Sequence, residues 1–336
     1  MTPLSSIAMS AYTDLVRLLK DDAVLGIKGK PTLKKRGEKG YWYAARRVGL
    51  EMRFFYIGED NAETRARIDR IEELYATAKE RQTERSRLVR LLRAEGMTPT
   101  DRATGSILSA MADAGTFRLG GTIVGTNAFR LYEGELGVRL PIGGMANTGD
   151  IDIAQFEKLS VALEDQVDPV LAETFSALKF VPVPGVDPRQ TWRWAQGGSG
   201  QLVEFLTPAF GEETIRDLPA LGVSAQALNY LNFLIAEPIH AAAIYRSGIL
   251  VQVPRPERFA IHKLIIADRR RDGAGSLKSA KDREQAAFLV EVMAEDRPDD
   301  LAQAYATAMN VGPRWREHIA SSLNRMHDTK KILQSI

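Results

Sequence analysis

The chain has 336 residues, 44% of them hydrophobic and 26% charged, and a net charge of +2; this argues for a globular protein of two or three domains with a sizeable core, and so balanced a charge selects no class of partner. With no cysteine, disulfides, zinc–thiolate sites and thiol nucleophiles are excluded. Residues 1–7 lack a signal-peptide pattern and no apolar run is long enough to span a bilayer, so a cytoplasmic protein without membrane contact is expected.

The charge is unevenly spread: residues 1–98 hold 20 Lys and Arg against 14 Asp and Glu, so the N-terminal part is basic. Residues 10–20 predict a short amphipathic helix with Leu15, Val16, Leu18 and Leu19 apolar. After a break at residues 26–31, segments 41–48 and 50–57 predict two strands joined at Gly49, with an earlier turn between Gly37 and Gly40. The expected product is a small basic β-hairpin or three-stranded wing. Asn61 predicts the cap of a long helix running to about Glu95, with Ile68, Ile71, Leu74, Tyr75 and Ala78 as its apolar stripe. Gly96 and Pro99 end it. A second helix fits residues 101–114, with Ile107, Leu108 and Met111 inward. Residues 117–119 predict a short strand entering Gly120-Gly121, and Thr122 to about Tyr132 a helix. Residues 134–147, punctuated by glycines and a proline, predict a loop or bent strand. Strands are expected at 150–153, 180–183, 191–194, 202–206, 239–245 and 249–253, with a helix at 169–178. Beyond Pro256 the pattern is helical, over 256–271, 278–294, 299–309 and 314–333.

The chemistry concentrates in two places. Leu119-Gly120-Gly121-Thr122 reads as a glycine turn opening a helix, where backbone N–H groups approach phosphate oxygens and the helix N-terminus favours an anion. Asp150-Ile151-Asp152-Ile153 reads as a strand whose two carboxylates share one face while the isoleucines point to the core. Side by side, two carboxylates repel unless a cation sits between them, and hard oxygen ligands suit Mg²⁺ or Mn²⁺. Glu204, a single acid in the apolar strand Leu202-Val203-Glu204-Phe205-Leu206, either faces solvent or meets a cation, because an unpaired buried charge is costly. Beside Asp150 and Asp152 it reads as the third metal ligand or the acceptor base. Together these parts form the layout of a metal-dependent nucleotidyltransferase.

In chain order, the glycine pair, helix, Asp-x-Asp strand and acidic strand resemble the superfamily that includes DNA polymerase beta, the tRNA CCA-adding enzymes and minimal bacterial nucleotidyltransferases. Residues 117–153, Phe259-Ala260-Ile261-His262-Lys263-Leu264 and Lys278-Ser279-Ala280-Lys281-Asp282 are similar to a bacterial family of nucleotidyltransferase-fold proteins, a resemblance that covers about Gly105 to Val292. It implies metal binding by Asp150 and Asp152 and phosphate binding by Gly120, Gly121 and Thr122. By analogy with abortive-infection and toxin-type nucleotidyltransferases, it implies that Lys263 contacts the triphosphate, that Asp282 orients it and that Lys281 lies on the nucleotide. A structural ion pair between Lys263 and Asp282 is the alternative. Two features depart from the pattern: the gap from Gly121 to Asp150 is longer than in the minimal enzymes, and Glu204 stands where Asp is commoner.

Other candidates have plainer readings. His262 has no second histidine at ligand spacing and reads as packed or surface-exposed. Arg269-Arg270-Arg271 suits a helix C-terminus. Trp192 and Trp194 on one strand face suit the core more than base stacking. Lys28, Lys30, Lys34, Lys35, Arg36 and Lys39, interleaved with Tyr41, Trp42 and Tyr43, suit a nucleic-acid backbone such as tRNA, the alternative being a solvated wing on a small aromatic core.

The expected protein is α+β in three parts: a basic hairpin and long helix (residues 1–98), a nucleotidyltransferase core with a mixed sheet (99–254) and a C-terminal helical domain (255–336). Its expected activity is metal-dependent transfer of a nucleoside monophosphate from an NTP to an RNA or protein hydroxyl, releasing pyrophosphate, in a housekeeping or a toxin-like role. The rival is a non-catalytic nucleic-acid-binding or regulatory protein that keeps the fold.

Overall fold

A computed structural model describes residues 2–25, 29–36, 39–48, 51–141, 149–162, 166–187, 189–198, 200–272 and 275–336. The chain opens with α1 (Ser6–Leu25), then a three-stranded antiparallel sheet of β1 (Lys30–Arg36), β2 (Lys39–Val48) and β3 (Glu51–Glu59), then the long α2 (Ala62–Ala94). Asn61 caps α2 as its sequence position requires, its side chain accepting the Thr64 N–H at 2.8 Å. One step earlier, the Trp42 indole and Arg65 guanidinium both donate to Asp60, fixing the passage from sheet to helix. Of the stripe expected on α2, Ile68 is buried, while the side chains of Ile71, Leu74 and Tyr75 lie outside the described residues. Lys28 lies outside them too, as do the side chains of Arg36 and Lys39.

The central part runs α3 (Arg102–Ala114), β4 (Thr122–Val124), α4 (Gly125–Leu136), β5 (Asp150–Ala154), α5 (Glu157–Ala162), α6 (Leu171–Ala177), β6 (Phe180–Pro182), β7 (Arg193–Gln196), β8 (Leu202–Pro208), β9 (Ile215–Leu218), β10 (Val223–Leu228), α7 (Leu231–Leu234), β11 (Ile239–Ala243) and β12 (Ile249–Val253). A mixed sheet has the order β4-β5-β8-β10-β9, with β7 against the first half of β8 and β6 outside β7. β5 and β10 run parallel to β8, whereas β4 and β7 run antiparallel to their neighbours. Ile151, Ile153, Val203 and Phe205 are fully buried on one face of the sheet, as strand alternation dictates. The C-terminal helices are α8 (Pro256–Arg269), α9 (Ser276–Asp296), α10 (Pro298–Val311), α11 (Pro313–Leu323) and α12 (His327–Ser335).

Hydrophobic packing crosses the expected part boundaries. Phe259 of α8 stacks on Phe129 and meets Tyr132 edge-on, with centroids 6.3 and 5.4 Å apart, so α8 is seated on α4. At the other end, Leu15, Leu88, Leu92, Ala242 and Ile244 share one cluster, joining α1 and the second half of α2 to β11. The Tyr12 hydroxyl accepts the Ala242 N–H there, and burial pushes this phenol far above its ordinary pKa. No helix among the described residues is long and apolar enough to cross a membrane.

Several local expectations need correction. Residues 117–119 form a turn, not a strand, and Thr122–Val124 is a strand, not the first turn of a helix. Three β-structured residues, two of them β-branched valine or isoleucine, here outweigh the glycine pair before them. Gly134 to Leu136 continue α4, and residues 142–147 of the expected loop lie outside the described residues. β9 and β10 were not anticipated, because Arg and Asp interrupt the short β9 and Ser, Ala and Gln dilute the pattern of β10. The last predicted helix is two, broken at residues 324–326.

Candidate active site

Strand alternation and parallel pairing build the acidic wall of a cleft. Asp152 of β5 is directly opposite Glu204 of β8, and Asp150 lies two residues back on the same face. The carboxyl of Glu204 hydrogen-bonds that of Asp152. Burial, then the Glu204 and Asp150 charges, push Asp152 up to about 7, against the pull of Lys263 and Arg270. Burial likewise raises Glu204, with Asp150 adding to it and Arg193 opposing it. Arg193, opposite Glu204 on β7, holds a guanidinium nitrogen 3.9 Å from that carboxylate. Carboxyls so crowded share a proton or attract a cation.

The strand–helix junction is Val124-Gly125-Thr126. Gly125 has φ +67°, and a Cβ there would lie 2.6 Å from Asp152 Oδ2. Glycine is needed twice over, for the left-handed backbone and for the carboxylate lying against it. The first turn of α4, with its unpaired N–H groups, therefore opens beside Asp152. Asn127 ties that turn to the strand, donating to the Asp150 carbonyl at 2.6 Å.

The opposite wall is basic. On α8, Phe259, His262, Lys263, Ile266 and Arg270 recur at helical spacing and face the cleft, while Ile261, Leu264 and Ile265 are fully buried behind them. On α9, Lys278, Lys281 and Asp282 do the same. Lys263 Nζ lies 2.5 Å from Asp282 Oδ1, and Arg270 Nη1 lies 3.0 Å from Asp282 Oδ2. Lys263 and Asp282 are both buried, so the ion pair expected as one alternative exists and lies on the cleft wall. Burial and then Lys263 lower the pKa of Lys281. His262 is held down to about 3, chiefly by burial and then by Lys263 and Arg270, so it is a neutral imidazole at physiological pH.

The cleft between these walls encloses about 390 Å³, floored by Val124, Leu206, Leu228, Leu231 and Leu234. That size suits a small-molecule ligand. Among the described residues no group of three or more acidic or histidine side chains is placed to hold a metal ion, so Glu204 does not join Asp150 and Asp152 as a third ligand in this arrangement. The donor set nonetheless fits Mg²⁺ or Mn²⁺, since Mg²⁺ is held by one or two carboxylates plus substrate phosphates and water rather than by an all-protein cage.

The structure thus brings together Asp150, Asp152, Glu204, Lys263, Lys281 and Asp282. It places Gly120, Gly121 and Thr122 elsewhere, at the far end of β4, where Gly120 and Thr122 line a separate depression with Phe156 and Leu159. Gly121 makes a tight turn there, its N–H donating to the Thr116 carbonyl at 2.9 Å. The glycine expected at the strand–helix junction is Gly125, and the signal that could have found it is the β-branched run immediately before. Arg269 and Arg270, read as helix-end cations, line the cleft, as do His262 and Lys278. Arg270 is the C-cap residue of α8, and Arg269 pairs with Glu213. Trp194 is core, packed on Phe175 and Phe205 at 5.1 and 5.4 Å, while the Arg193 guanidinium lies over the Trp192 ring.

The model of a family described as nucleotidyltransferase matches residues 102–310, more than half of the chain. The chain belongs to this nucleotidyltransferase family. The matched span contains both walls of the cleft and ends within α10. A second family model, described as a domain of unknown function, matches residues 12–66, from α1 through the three-stranded sheet into the start of α2. Searches of curated proteins and of solved structures each found no match.

Proposed function

We propose that the cleft transfers a nucleoside monophosphate from an NTP to an acceptor hydroxyl with release of pyrophosphate, and that the core is of the DNA polymerase beta-like type. The observation that carries this reading is the carboxylate trio on adjacent parallel strands, facing a cationic helix wall across a cleft of about 390 Å³. A divalent cation held by Asp150 and Asp152 would neutralise phosphate charge and polarise the attacked phosphorus. Lys263, Lys281 and Arg270 take the triphosphate on the opposite wall, and the first turn of α4 at Gly125-Thr126 offers backbone N–H groups to a phosphate oxygen. The floor of Leu228, Leu231 and Leu234 receives the base. Glu204 accepts the proton of the acceptor hydroxyl as its oxygen bonds to the α-phosphorus and the bond to pyrophosphate breaks. Its raised pKa suits a base.

The test uses each NTP radiolabelled at the α-phosphate, with Mg²⁺ or Mn²⁺ and a cell extract as the acceptor source, comparing wild type with Asp150→Ala/Asp152→Ala. Label on RNA or protein with wild type alone is the expected result. Failure to bind any NTP in the presence of either cation would overturn the reading in favour of a non-catalytic protein that keeps the fold. Growth arrest on expression, abolished by Asp150→Ala, would place the activity among toxins.

A further inference from the structure

A groove away from the cleft separates the three-stranded sheet from the body of the molecule. Two depressions of about 920 and 700 Å³ adjoin there, sharing Arg85, Asp113 and Arg118 as walls. Arg46 of β2 spans it at one end, donating to the Asp113 and Asp168 carbonyls, so the sheet is held at a fixed place against the body. Five exposed cations converge on the groove from five places in the chain: Lys30 on β1, Arg47 on β2, Lys79 on α2, Arg118 after α3 and Arg246 between β11 and β12. Among the described lining residues the acids are Asp22 and Asp113, and Asp22 is engaged by Arg81 and Arg85. A chain of net charge +2 has therefore gathered five exposed cations around one groove, where Asp113 interacts with Arg46 and Arg246.

Apolar surface lies among these cations. Met52 and Phe54 are 55% and 43% exposed and line the same groove. Register sets Met52 beside Arg47, and Phe54 beside Ala45 and through it Lys30, on one face of the sheet. Lys34 lies over the Phe54 ring and adds a cation to the rim. Guanidinium and ammonium groups interleaved with exposed apolar and aromatic side chains are what a polynucleotide strand requires: charge for the backbone, flat surface for the bases.

We propose that this groove seats the acceptor as a single polynucleotide strand, so that the nucleotidyl group goes to a nucleic-acid hydroxyl rather than a protein one. The proposal rests on the transfer reading of the cleft. Its reach is consistent: Arg118 precedes Gly125 by seven residues in the chain, so groove and cleft are bridged by at most about 25 Å of extended backbone. A strand occupying a site of roughly 4–16 nucleotides is long enough to cover that distance. The acid at the cleft and the cations at the groove then act on the two ends of one substrate.

The test measures binding of a labelled single-stranded RNA of about 12 nucleotides, a DNA of the same sequence and polyglutamate to the full-length Asp152→Asn chain, which prevents turnover. Mg²⁺–NTP binding is measured in parallel on chains that keep Asp152, with and without the groove substitutions. For five phosphate contacts the affinity should fall about 100-fold between roughly 50 and 200 mM salt. Arg47→Glu/Lys79→Glu/Arg118→Glu should weaken RNA binding at least about tenfold and flatten the log–log salt slope by about 2, with Mg²⁺–NTP binding unchanged. The milder Arg47→Gln/Lys79→Gln/Arg118→Gln should fall between. Equal binding of DNA and RNA supports the proposal with the sugar unread. Polyglutamate binding as tightly as RNA would overturn it in favour of an acidic protein acceptor, and so would salt-insensitive RNA binding or full binding by the charge-reversed chain. RNA binding through the groove without any Mg²⁺–NTP binding would uphold the surface and sink the transfer reading instead.

Discussion

On the strand wall of the cleft, Asp150, Asp152 and Glu204 crowd one another, and Arg193 stands 3.9 Å from Glu204. On the helix wall, Lys263 and Arg270 close on the two oxygens of Asp282 at 2.5 and 3.0 Å. The first wall holds charge that its own fold leaves frustrated; the second neutralises most of its charge internally. On the proposed function a ligand would complete the strand wall, whereas on the helix wall it would compete with, or join, an existing pair. Frustration of this kind marks a place where geometry serves chemistry at the expense of stability.

The largest effect is expected on the strand wall. Asp152→Ala should lower nucleotidyl transfer by roughly 10²–10³-fold, read as label incorporated per unit time, while leaving the thermal midpoint of the ligand-free protein equal or higher. A large loss of stability would mean that the carboxylates are structural. On the helix wall the sign reverses. Asp282→Ala leaves the buried Lys263 unpaired and should cost about 3 kcal/mol of folding stability, seen in urea unfolding. Lys263→Met/Asp282→Leu should recover much of that loss, since replacing both partners by apolar side chains removes the unpaired charge. If the single variant melts like wild type, the pair is not the structural element described here.

Gly125→Ala tests the junction between strand and helix. A residue with a Cβ at φ +67° is strained by about 1 kcal/mol, and its methyl group meets the Asp152 carboxylate. Activity should fall about tenfold, more than stability does; an unaffected rate would mean that Asp152 has room to move. The smallest effect concerns pH. Asp152 titrates near 7 in the folded protein against an ordinary 3.8, so the folded state binds this proton more tightly than the unfolded chain. Its contribution to stability is greatest at low pH, declines as pH rises from about 4 to 7, and is lost above that. Thermal midpoints of the ligand-free protein should carry this decline, Asp152→Asn should flatten it, and Mg²⁺ should stabilise the protein more at pH 8 than at pH 5. A profile identical in wild type and Asp152→Asn would show that the carboxylate is not frustrated.

Much of the site is readable from sequence because it obeys short periods. Asp150-Ile151-Asp152-Ile153 shows a period of two, Glu204 interrupts an apolar strand, and Lys263 and Asp282 sit on strongly patterned helices. The junction glycine was misread because Gly120-Gly121 is the louder local signal, although Thr122-Ile123-Val124 carries the better strand. Asn61 announced its helix through a side chain that caps it, an interaction contained within four residues. β9 and β10 gave no such notice, since their stability comes from pairing with β8 and with each other.

The sequence by itself determined the elements whose cause is local: capped helices, alternating strands, and which side chains of each face the core. Only the tertiary structure decided that Asp152 stands opposite Glu204, that Arg270 and Lys278 face the carboxylates from two other helices, and that Lys30, Arg118 and Arg246 border one groove. These residues are far apart in the chain, and hydrophobic burial, which is strong but non-directional, brings their elements together without any pattern in the intervening sequence that records which faces will meet.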